Sequence, residues 1–489
     1  MAPLRARVGS TFGVYTMFMS CKFTCLRVAG SALAMLALAG CATLSPDAGL
    51  GNVQTLARER IGKNVMLPGT ETEAAAAAVR DRLKRPLSVD AAVQVALFNN
   101  AALKASLAEL GISEADLVQA GRLPNPRFTF TNKRNGEITT IDRTVMVSVM
   151  SLLTMPLAQQ IAGRQHEAMQ LQVASEVVRL ASDTRRAYFS AVAAQESVKY
   201  FAQVKLAAEA ASELANRMAE AGNLNKLLQL RQRVFHTDAT GQLAMASLAA
   251  AVERERLSQL LGLTGADLEY RLPERLPDLP DGTLAPVDAE RTALERRLDV
   301  LIARRSTETM AANLGLTRAT RFINVLEVGY TNESNTHGKL QNGYEIDIEV
   351  PLFDWGDARL ARAEATYMQS VHRLQSVALA AQSEVRASYQ AYHTSYELAR
   401  HYRDEVVPLR KQIADENLLR YNGMLIGVFE LLADAREQIA SVNGYIEAAR
   451  NFWIAETNLQ LALSGTSPEK PWSTRFATMN SATASTGGH

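Results

Sequence analysis

Residues 343 to 356 read Gly343-Tyr-Glu-Ile-Asp-Ile-Glu-Val-Pro-Leu-Phe-Asp-Trp-Gly356, and this stretch decides the fold. Apolar and acidic side chains alternate along it: Tyr344, Ile346, Ile348 and Val350 against Glu345, Asp347 and Glu349. Successive side chains of a strand point to opposite faces of a sheet. The pattern therefore predicts a strand with one apolar face and one carboxylate face.

A long helix is predicted directly after this strand. From Val371 to Ile413 apolar and small residues recur with a period of about 3.5, which is typical of a helical seam. No glycine interrupts the chain between Gly356 and Gly423. At 1.5 Å per residue the helix would be about 95 Å long, longer than the core of an ordinary globular domain. Pro408 lies inside it and predicts a bend.

The same strand-and-helix unit occurs twice in the chain. About 201 residues earlier, Val145, Val147 and Val149 occupy the apolar positions of the strand. RRAYFSAV at 185–192 matches VRASYQAY at 385–392, and Gly222 matches Gly423. Register kept over such a distance indicates an internal duplication. We therefore predict a first repeat at 87–265, a Pro-rich linker at 266–286 and a second repeat at 287–465.

Within each repeat the pattern predicts a helix, a β-hairpin, a long helix and a return helix. In the first repeat, Ser88 is a plausible N-cap for a helix that continues to Gly121. The hairpin turns at Asn135-Gly136, and the long helix runs from Pro156 to Ala221. In the second repeat, a helix over 288–318 precedes a strand at 322–332.

The N-terminus predicts export. Basic residues precede an apolar run at 28–39 that ends in Leu38-Ala39-Gly40-Cys41. This arrangement describes a secretory signal peptide at 1–40. Leu-Ala-Gly-Cys also resembles the bacterial lipoprotein box, which implies that Cys41 is lipidated; an ordinary signal peptide with an incidental cysteine is the alternative. We interpret 41–86 as a lipidated, poorly structured tether with a short helix, and 466–489 as a disordered tail.

Composition argues against an enzyme and against a nucleic-acid partner. The 52 Lys and Arg residues nearly balance the 51 Asp and Glu residues, so the chain carries no strong overall charge. The sequence contains no phosphate loop, nucleophile elbow or Cys-x-x-Cys, and its seven histidines are scattered. We expect no catalytic residue, no cofactor and no metal site.

The strands have the length needed to cross an outer membrane. After Cys41 no apolar run approaches the 18 residues of a spanning helix, whereas each repeat supplies two strands of about ten residues. Four strands cannot close a barrel, and open sheet edges are not tolerated in lipid. Several chains must then share one barrel. In that arrangement Glu345, Asp347 and Glu349 would line a pore and favour cations, although any water-filled pore needs a polar wall.

The region 87–465 resembles the TolC-type outer membrane efflux proteins. The resemblance rests on the duplication, the lipoprotein box and five further motifs: LPNP at 123–126, VPLFDWG at 350–356, VRASYQAY at 385–392, VVPL at 406–409 and RYNG at 420–423. Met150, where the second copy has Pro351, and Ala101 depart from the family pattern. The resemblance implies a mainly α fold with a membrane β part. Long antiparallel helical hairpins would form a periplasmic tunnel, and four transmembrane strands per protomer would join a shared trimeric β-barrel.

The resemblance also implies a function, a location and partners. A homotrimer in outer-membrane lipid would act as a passive exit duct, extend into the periplasm, and work with a periplasmic adaptor protein and an inner-membrane transporter of the RND type. The turns at Gly222-Asn223 and Gly423-Met424 would be the periplasmic tips where the adaptor docks. Glu430 and Asp434, just after the second turn, would help to hold the tunnel mouth shut; ordinary solvated helix charge is the alternative.

Two other functions fit parts of the pattern. A coiled-coil lipoprotein that spaces the envelope layers would share the helices, but it needs no strands with a lipid-facing side. An outer-membrane duct for type I protein secretion would share the whole fold, so the sequence does not separate it from an efflux duct for small molecules or ions.

Overall fold

The computed structural model describes residues 44–61, 72–283, 288–323 and 325–468. The chain divides into two compact units. Among the described residues, the sheet unit contains 44–46, Glu114–Gly163, 318–323 and 325–357, and the helical unit contains 47–61, 72–113, 164–283, 288–317 and 358–468. Each unit draws on both sequence repeats, so the repeats are not separate domains.

The first repeat contains its hairpin between helices, after two short helices near the N-terminus. The elements in chain order are α1 (Leu50–Ile61), α2 (Thr72–Leu83), α3 (Val89–Asn99), α4 (Ala101–Ala120), β1 (Arg127–Asn135), β2 (Ile138–Ser148), α5 (Val149–Glu220) and α6 (Lys226–Leu261).

The second repeat follows the same plan. Its elements are α7 (Ala289–Arg296), α8 (Leu298–Ala319), β3 (Leu326–Asn335), β4 (Gln341–Ile348), α9 (Asp357–His401), a π turn (Tyr402–Val406), α10 (Val407–Asn422) and α11 (Val428–Ser464). The mainly helical fold with a small antiparallel sheet is confirmed.

The strands form one antiparallel sheet in the order β1-β2-β3-β4. The pairing of β2 with β3, which places Val145 opposite Tyr330, joins the two repeats. Opposite residues share a face, so Phe128, Val145, Tyr330 and Tyr344 form one apolar row across all four strands. Tyr344 is 86% exposed, and Phe128, Val145, Tyr330, Ile346 and Ile348 of this face are also exposed. No described part of the sheet unit covers the face.

The long helix α5 contains 72 residues and begins earlier than predicted. It starts at Val149, seven residues before Pro156, so the predicted start at Pro156 is wrong. Ser148 explains the earlier start, because its hydroxyl oxygen accepts the N–H of Ser151 at 3.3 Å and so caps the first turn. Pro156 is accommodated inside the helix as its eighth residue, where only one backbone hydrogen bond is lost.

A π turn immediately precedes Pro408, where a bend is predicted. Pro408 has no N–H to donate to the carbonyl four residues earlier, and the wider turn at Tyr402–Val406 immediately precedes it. The N–H of Val407 donates to the carbonyl of Tyr402, five residues back. Gly444 of α11 faces this turn, and a Cβ there would lie 2.7 Å from the Tyr402 ring.

Each predicted single helix before a hairpin is in fact two helices. In the first repeat α3 ends at Asn99, and the side chain of Asn100 donates to the carbonyl of Leu260 at 3.1 Å. In the second repeat α7 ends at Arg296, and the N–H of Leu298 donates to the carbonyl of Gly465 at 2.8 Å. Both breaks therefore lie against the end of the return helix of their own repeat. The single-helix prediction failed because neither break contains Gly or Pro.

The described part of the N-terminal segment is packed rather than poorly structured. In α1, Val53 and Ala57 are fully buried against a cluster that includes Val173 and Leu461. Arg60 donates hydrogen bonds to the carbonyls of Ser464 at 3.1 Å and Arg296 at 3.0 Å. The short helix predicted within this segment is present as α1, but the expectation of a poorly structured segment does not hold for 50–61. The signal segment, Cys41 and the tail from 469 lie outside the described residues.

The described part of the Pro-rich linker also packs on the helices. Tyr270, Leu272, Leu276 and Leu279 are buried, the first three in the largest core cluster. Its backbone is bound as well, because the Tyr396 hydroxyl donates to the carbonyl of Pro280 at 3.0 Å and the N–H of Leu276 donates to the Glu196 carboxylate at 3.0 Å. Burial of Glu196 raises the pKa of its carboxyl. The segment connects the two repeats, and side-chain contacts hold it against the helices.

Candidate functional site

The sheet places the predicted carboxylates on the face opposite the apolar rows. Glu345 and Asp347 belong to β4, and both side chains are exposed. Glu349 lies just beyond the strand, where its N–H still donates to the carbonyl of Val325 at 3.3 Å. The polar face predicted from the alternation is thus present in the fold.

A carboxylate on the neighbouring strand was missed by the sequence analysis. Glu327 pairs directly with Asp347 across β3 and β4, so two like charges lie side by side. Arg127 lies 3.7 Å from the Glu327 carboxylate and offsets part of their repulsion. The sequence carried the signal, because Glu327 alternates with Leu326 and Val328, but only the register shows which acidic residue lies beside Asp347.

The first predicted tip is a glycine-terminated helix end. Gly222 adopts φ +77°, and the N–H of Asn223 donates to the carbonyl of Met218 at 2.8 Å. This six-to-one hydrogen bond with a left-handed residue is a Schellman motif. The next helix begins at once, because the Asn225 side chain accepts the N–H of Leu228 at 2.9 Å.

The second tip has the same motif with a different residue in the left-handed position. The N–H of Leu425 donates to the carbonyl of Arg420 at 2.9 Å, and Met424 adopts φ +58°. Gly423, which the repeat aligns with Gly222, has φ −80°. The left-handed residue is therefore shifted by one position. Met424 is 93% exposed, so a strained apolar side chain projects from this turn.

The two tips should respond oppositely to substitution. Met424→Gly removes a side chain from a left-handed backbone position and should stabilise the turn by about 0.5–1 kcal/mol. This value already allows for the greater conformational freedom of glycine in the unfolded chain. Gly222→Ala adds such a side chain and should destabilise its turn by about 1 kcal/mol. Hydrogen exchange at the amides of 222–225 and 423–427 measures both changes. Equal protection of wild type and variants would contradict the strain assigned to Met424.

The predicted gate carboxylates lie on one helix but make different contacts. Glu430 and Asp434 are four residues apart in α11 and therefore share a face. Glu430 is exposed in the first turn, where the helix dipole favours a negative charge. Asp434 accepts a hydrogen bond from the side-chain amide of Asn417, which ties α10 to α11. Asp434 thus has a structural role that the sequence did not indicate.

A half-buried arginine lies between the helices near these carboxylates. Arg436 of α11 stacks over the Phe235 ring at 3.9 Å. Burial lowers the pKa of its guanidinium, and the nearby Asp238 charge offsets this only in part. The side chain lines a groove of about 570 Å³ together with Leu227, Leu230 and Val234 of α6. This arrangement can hold α6 beside α11 below the tips.

Neither a metal site nor a spanning helix is found among the described residues. They contain no group of three or more His, Cys, Asp or Glu side chains that could bind a metal ion.

Of the helices in the described ranges, none combines the length and the apolar character needed to cross a membrane.

The helices and the four-stranded sheet define the fold of the outer membrane efflux channels, and the predicted resemblance in fold is confirmed. The Campylobacter jejuni CmeC outer membrane channel matches with a TM-score of 0.69 and 14% identity over 88% of this chain and 94% of that chain. The open state of the Neisseria gonorrhoeae MtrE outer membrane channel matches with a TM-score of 0.65 and 18% identity over 77% of this chain and 89% of that one.

A weaker similarity is found in sequence. The cobalt-zinc-cadmium resistance protein CzcC of Cupriavidus metallidurans is 24% identical over 284 residues, which is 57% of this chain. The match spans 66% of the length of that relative, slightly less than two thirds. No protein-family model matches the chain.

Proposed function

We propose that this protein is the outer-membrane exit duct of a tripartite efflux system. The observation that carries the proposal is the uncovered apolar face of the sheet in a chain with an outer membrane channel fold. A soluble protein rarely leaves such a face open, whereas lipid covers it in a membrane. A spacer lipoprotein needs no such face, so this observation favours a duct.

The duct acts as a homotrimer that performs no chemistry. Three copies of the sheet unit contribute four strands each to one barrel, because a single copy leaves β1 and β4 with unpaired edges. Cys41 carries the lipid that adds a second membrane attachment. A periplasmic adaptor and an inner-membrane transporter of the RND type supply the cargo and the energy. The adaptor binds the turns that contain Gly222, Asn223, Gly423 and Met424.

The proposed cargo is a small molecule or an ion. Glu345, Asp347 and Glu349 line the pore with a negative charge that favours cations. The name of the CzcC relative, a cobalt-zinc-cadmium resistance protein, makes divalent metal cations the first class to test. Ion selectivity of the purified channel tests this proposal. The current should be carried mainly by cations, and Glu345→Gln with Asp347→Asn should reduce that preference.

Conductance in a planar bilayer tests the duct and its gate together. Glu430→Gln with Asp434→Asn removes two charges at the tunnel mouth and, for Asp434, weakens the contact with Asn417. If these groups stabilise the closed state relative to the open state by about 1–2 kcal/mol, the population of the open state should rise roughly 5- to 30-fold in the double variant. We expect small cation-selective steps in the wild type and larger or longer ones in the double variant.

A matched control is available on α5. Glu209 and Glu213 are exposed and, like Glu430 and Asp434, four residues apart. Their double substitution by glutamine removes the same charge and should leave the conductance unchanged. If neither double variant changes the conductance, the gate proposal is wrong and the duct proposal stands. A lack of any conductance, with insertion verified, would contradict the duct and favour the spacer.

A further inference from the structure

The two faces of the sheet differ in the sign of their charged groups. Arg134 of β1 and Arg143 of β2 lie on the apolar face, because Arg134 alternates in step with Phe130, and Arg143 pairs with Phe130 across the strands. All five carboxylates of the four strands lie on the polar face: Asp142, Glu327, Glu333, Glu345 and Asp347.

The arginines of the apolar face have no carboxylate partner among the described residues. Within the described strands the ion pairs are those of Arg127 with Glu327 and of Lys133 with Asp142, and both lie on the polar face. The face that the proposed function turns toward lipid therefore carries positive charge that the sheet itself does not neutralise.

Arg143 lies where the apolar rows of the sheet end on the hairpin side. Its row, which also contains Phe130, Asn332 and Asn342, follows the apolar row that contains Tyr344. The two rows are about 7 Å apart along the strand, or roughly 5 Å along the membrane normal at a tilt near 40°. The chain joins the helices at the opposite end of the sheet. In the proposed duct the hairpins point away from the periplasm, so the Arg143 row lies toward the outer leaflet.

A hydrogen-bonded row of side chains orients the Arg143 guanidinium. Nη1 of Arg143 donates to Oδ1 of Asn332 at 3.0 Å, and Nδ2 of Asn332 donates to Oδ1 of Asn342 at 2.7 Å. Because arginine can only donate, the Asn332 amide must turn its oxygen toward Arg143 and its nitrogen toward Asn342. The bond to Asn332 occupies a single N–H of the guanidinium. The side chain is only half-buried, so its remaining donors can reach a ligand.

We infer that Arg143, oriented by Asn332, binds the phosphate group of an anionic lipid in the outer leaflet. A guanidinium binds phosphate through paired N–H···O bonds, which gives this ligand both the matching charge and the matching geometry. Arginine on a lipid-facing strand is costly in the middle of the bilayer and nearly free at the interface, where headgroup phosphates lie. A lipid is the occupant rather than a soluble anion, because Arg143 projects from the face that lipid covers in the proposed duct. The inference rests on the proposed function and adds to it a selectivity among lipids.

The relative binding of two lipids beside Arg143 tests the inference. The reporter is Phe130→Trp, opposite Arg143, in a full-length chain whose three natural tryptophans are replaced by phenylalanine. The purified protein is placed in mixed vesicles of phosphatidylglycerol and phosphatidylcholine, and one of the two lipids carries brominated acyl chains that quench indole fluorescence on contact. Exchanging the brominated lipid and varying the ratio gives the preference for phosphatidylglycerol at this position. We expect a preference of roughly 3- to 10-fold, as for one arginine at a charged membrane surface.

Two variants and a second reporter show whether Arg143 is the source of the preference. Arg143→Gln should abolish the preference measured at position 130. Lys133→Gln removes the same charge from the polar face and should leave the preference unchanged. Ile346→Trp, in the same tryptophan-free chain, places the reporter two rows away and should be quenched by both lipids without preference. A preference that survives Arg143→Gln, or that is equally large at position 346, would overturn the site.

Salt gives a second readout that needs no substitution of Arg143. At about 1 M salt the Debye length falls to about 3 Å, so the preference measured at position 130 should fall. A preference that salt leaves unchanged would overturn the electrostatic site. Quenching by both lipids without any preference would remove the lipid site and leave the duct intact. An absence of quenching at both 130 and 346 would contradict the membrane sheet itself, and the lipid site with it.

Discussion

Ile346→Arg is expected to abolish assembly of the proposed channel. Ile346 lies in the middle apolar row of the sheet, opposite Val328, and its side chain is exposed. A charged arginine on a lipid-facing position costs about 2–4 kcal/mol near the middle of the bilayer. The proposed trimer would carry the substitution three times, so the total would approach the whole stability of a typical domain, about 5–15 kcal/mol.

The adjacent residue supplies the control. Glu345→Arg places the same side chain one position away on the opposite, polar face of β4. This variant should assemble normally, with altered ion selectivity, because arginine in a water-filled pore stays hydrated. The amount of trimer in the outer-membrane fraction and the number of channels per unit of protein measure both effects. Equal loss in the two variants would show that β4 tolerates no arginine on either face, and the lipid-facing assignment would fail.

Removing the side chain of Arg297 is expected to destabilise the helical unit by about 3 kcal/mol. The residue is only 1% exposed, and its guanidinium donates to Asp299 at 2.6 Å and to Glu384 at 2.8 Å. Burial alone would lower the pKa of the guanidinium, but the hydrogen bonds and charges of Asp299 and Glu384 outweigh burial and raise it. Arg297→Ala leaves two carboxylates facing a cavity without their cation. The two carboxylates retain partial access to water, so we place the cost at the lower end of the range for broken buried ion pairs.

Arg305 of α8 provides a matched comparison. It also contacts two carboxylates, Glu308 at 2.8 Å and Glu167 at 3.5 Å, but its side chain is 44% exposed. Exposed ion pairs contribute about 0–1 kcal/mol, so Arg305→Ala should hardly change the denaturation midpoint. Urea denaturation of the detergent-solubilised protein, followed by helix content, compares the variants. A cost for Arg297→Ala no larger than that for Arg305→Ala would contradict the role assigned to the buried cluster.

Local sequence patterns were sufficient to predict the classes of element and the faces of the sheet. Alternation at 344–350, the helical period after Gly356 and the repeated motifs depend on local backbone geometry, so they can be counted along the chain. The hairpins, the long helices, the two tips and the separation of Ile346 from Glu345 followed from these periods. The candidate carboxylates were found in the same way, because a strand pattern assigns each residue to one face.

Contacts between distant residues were decided only by the tertiary structure. The pairing of Glu327 with Asp347 required the register of β3 on β4, and the break at Arg297 arose from a contact with Gly465 rather than from a local signal. The packing of α1 and of the Pro-rich linker likewise depends on side chains from other helices. A short segment with weak periodicity gains its order from such burial. The sequence of such a segment therefore does not reveal whether the segment packs on other helices. In a long helix, by contrast, the periodic apolar positions predict which face is buried.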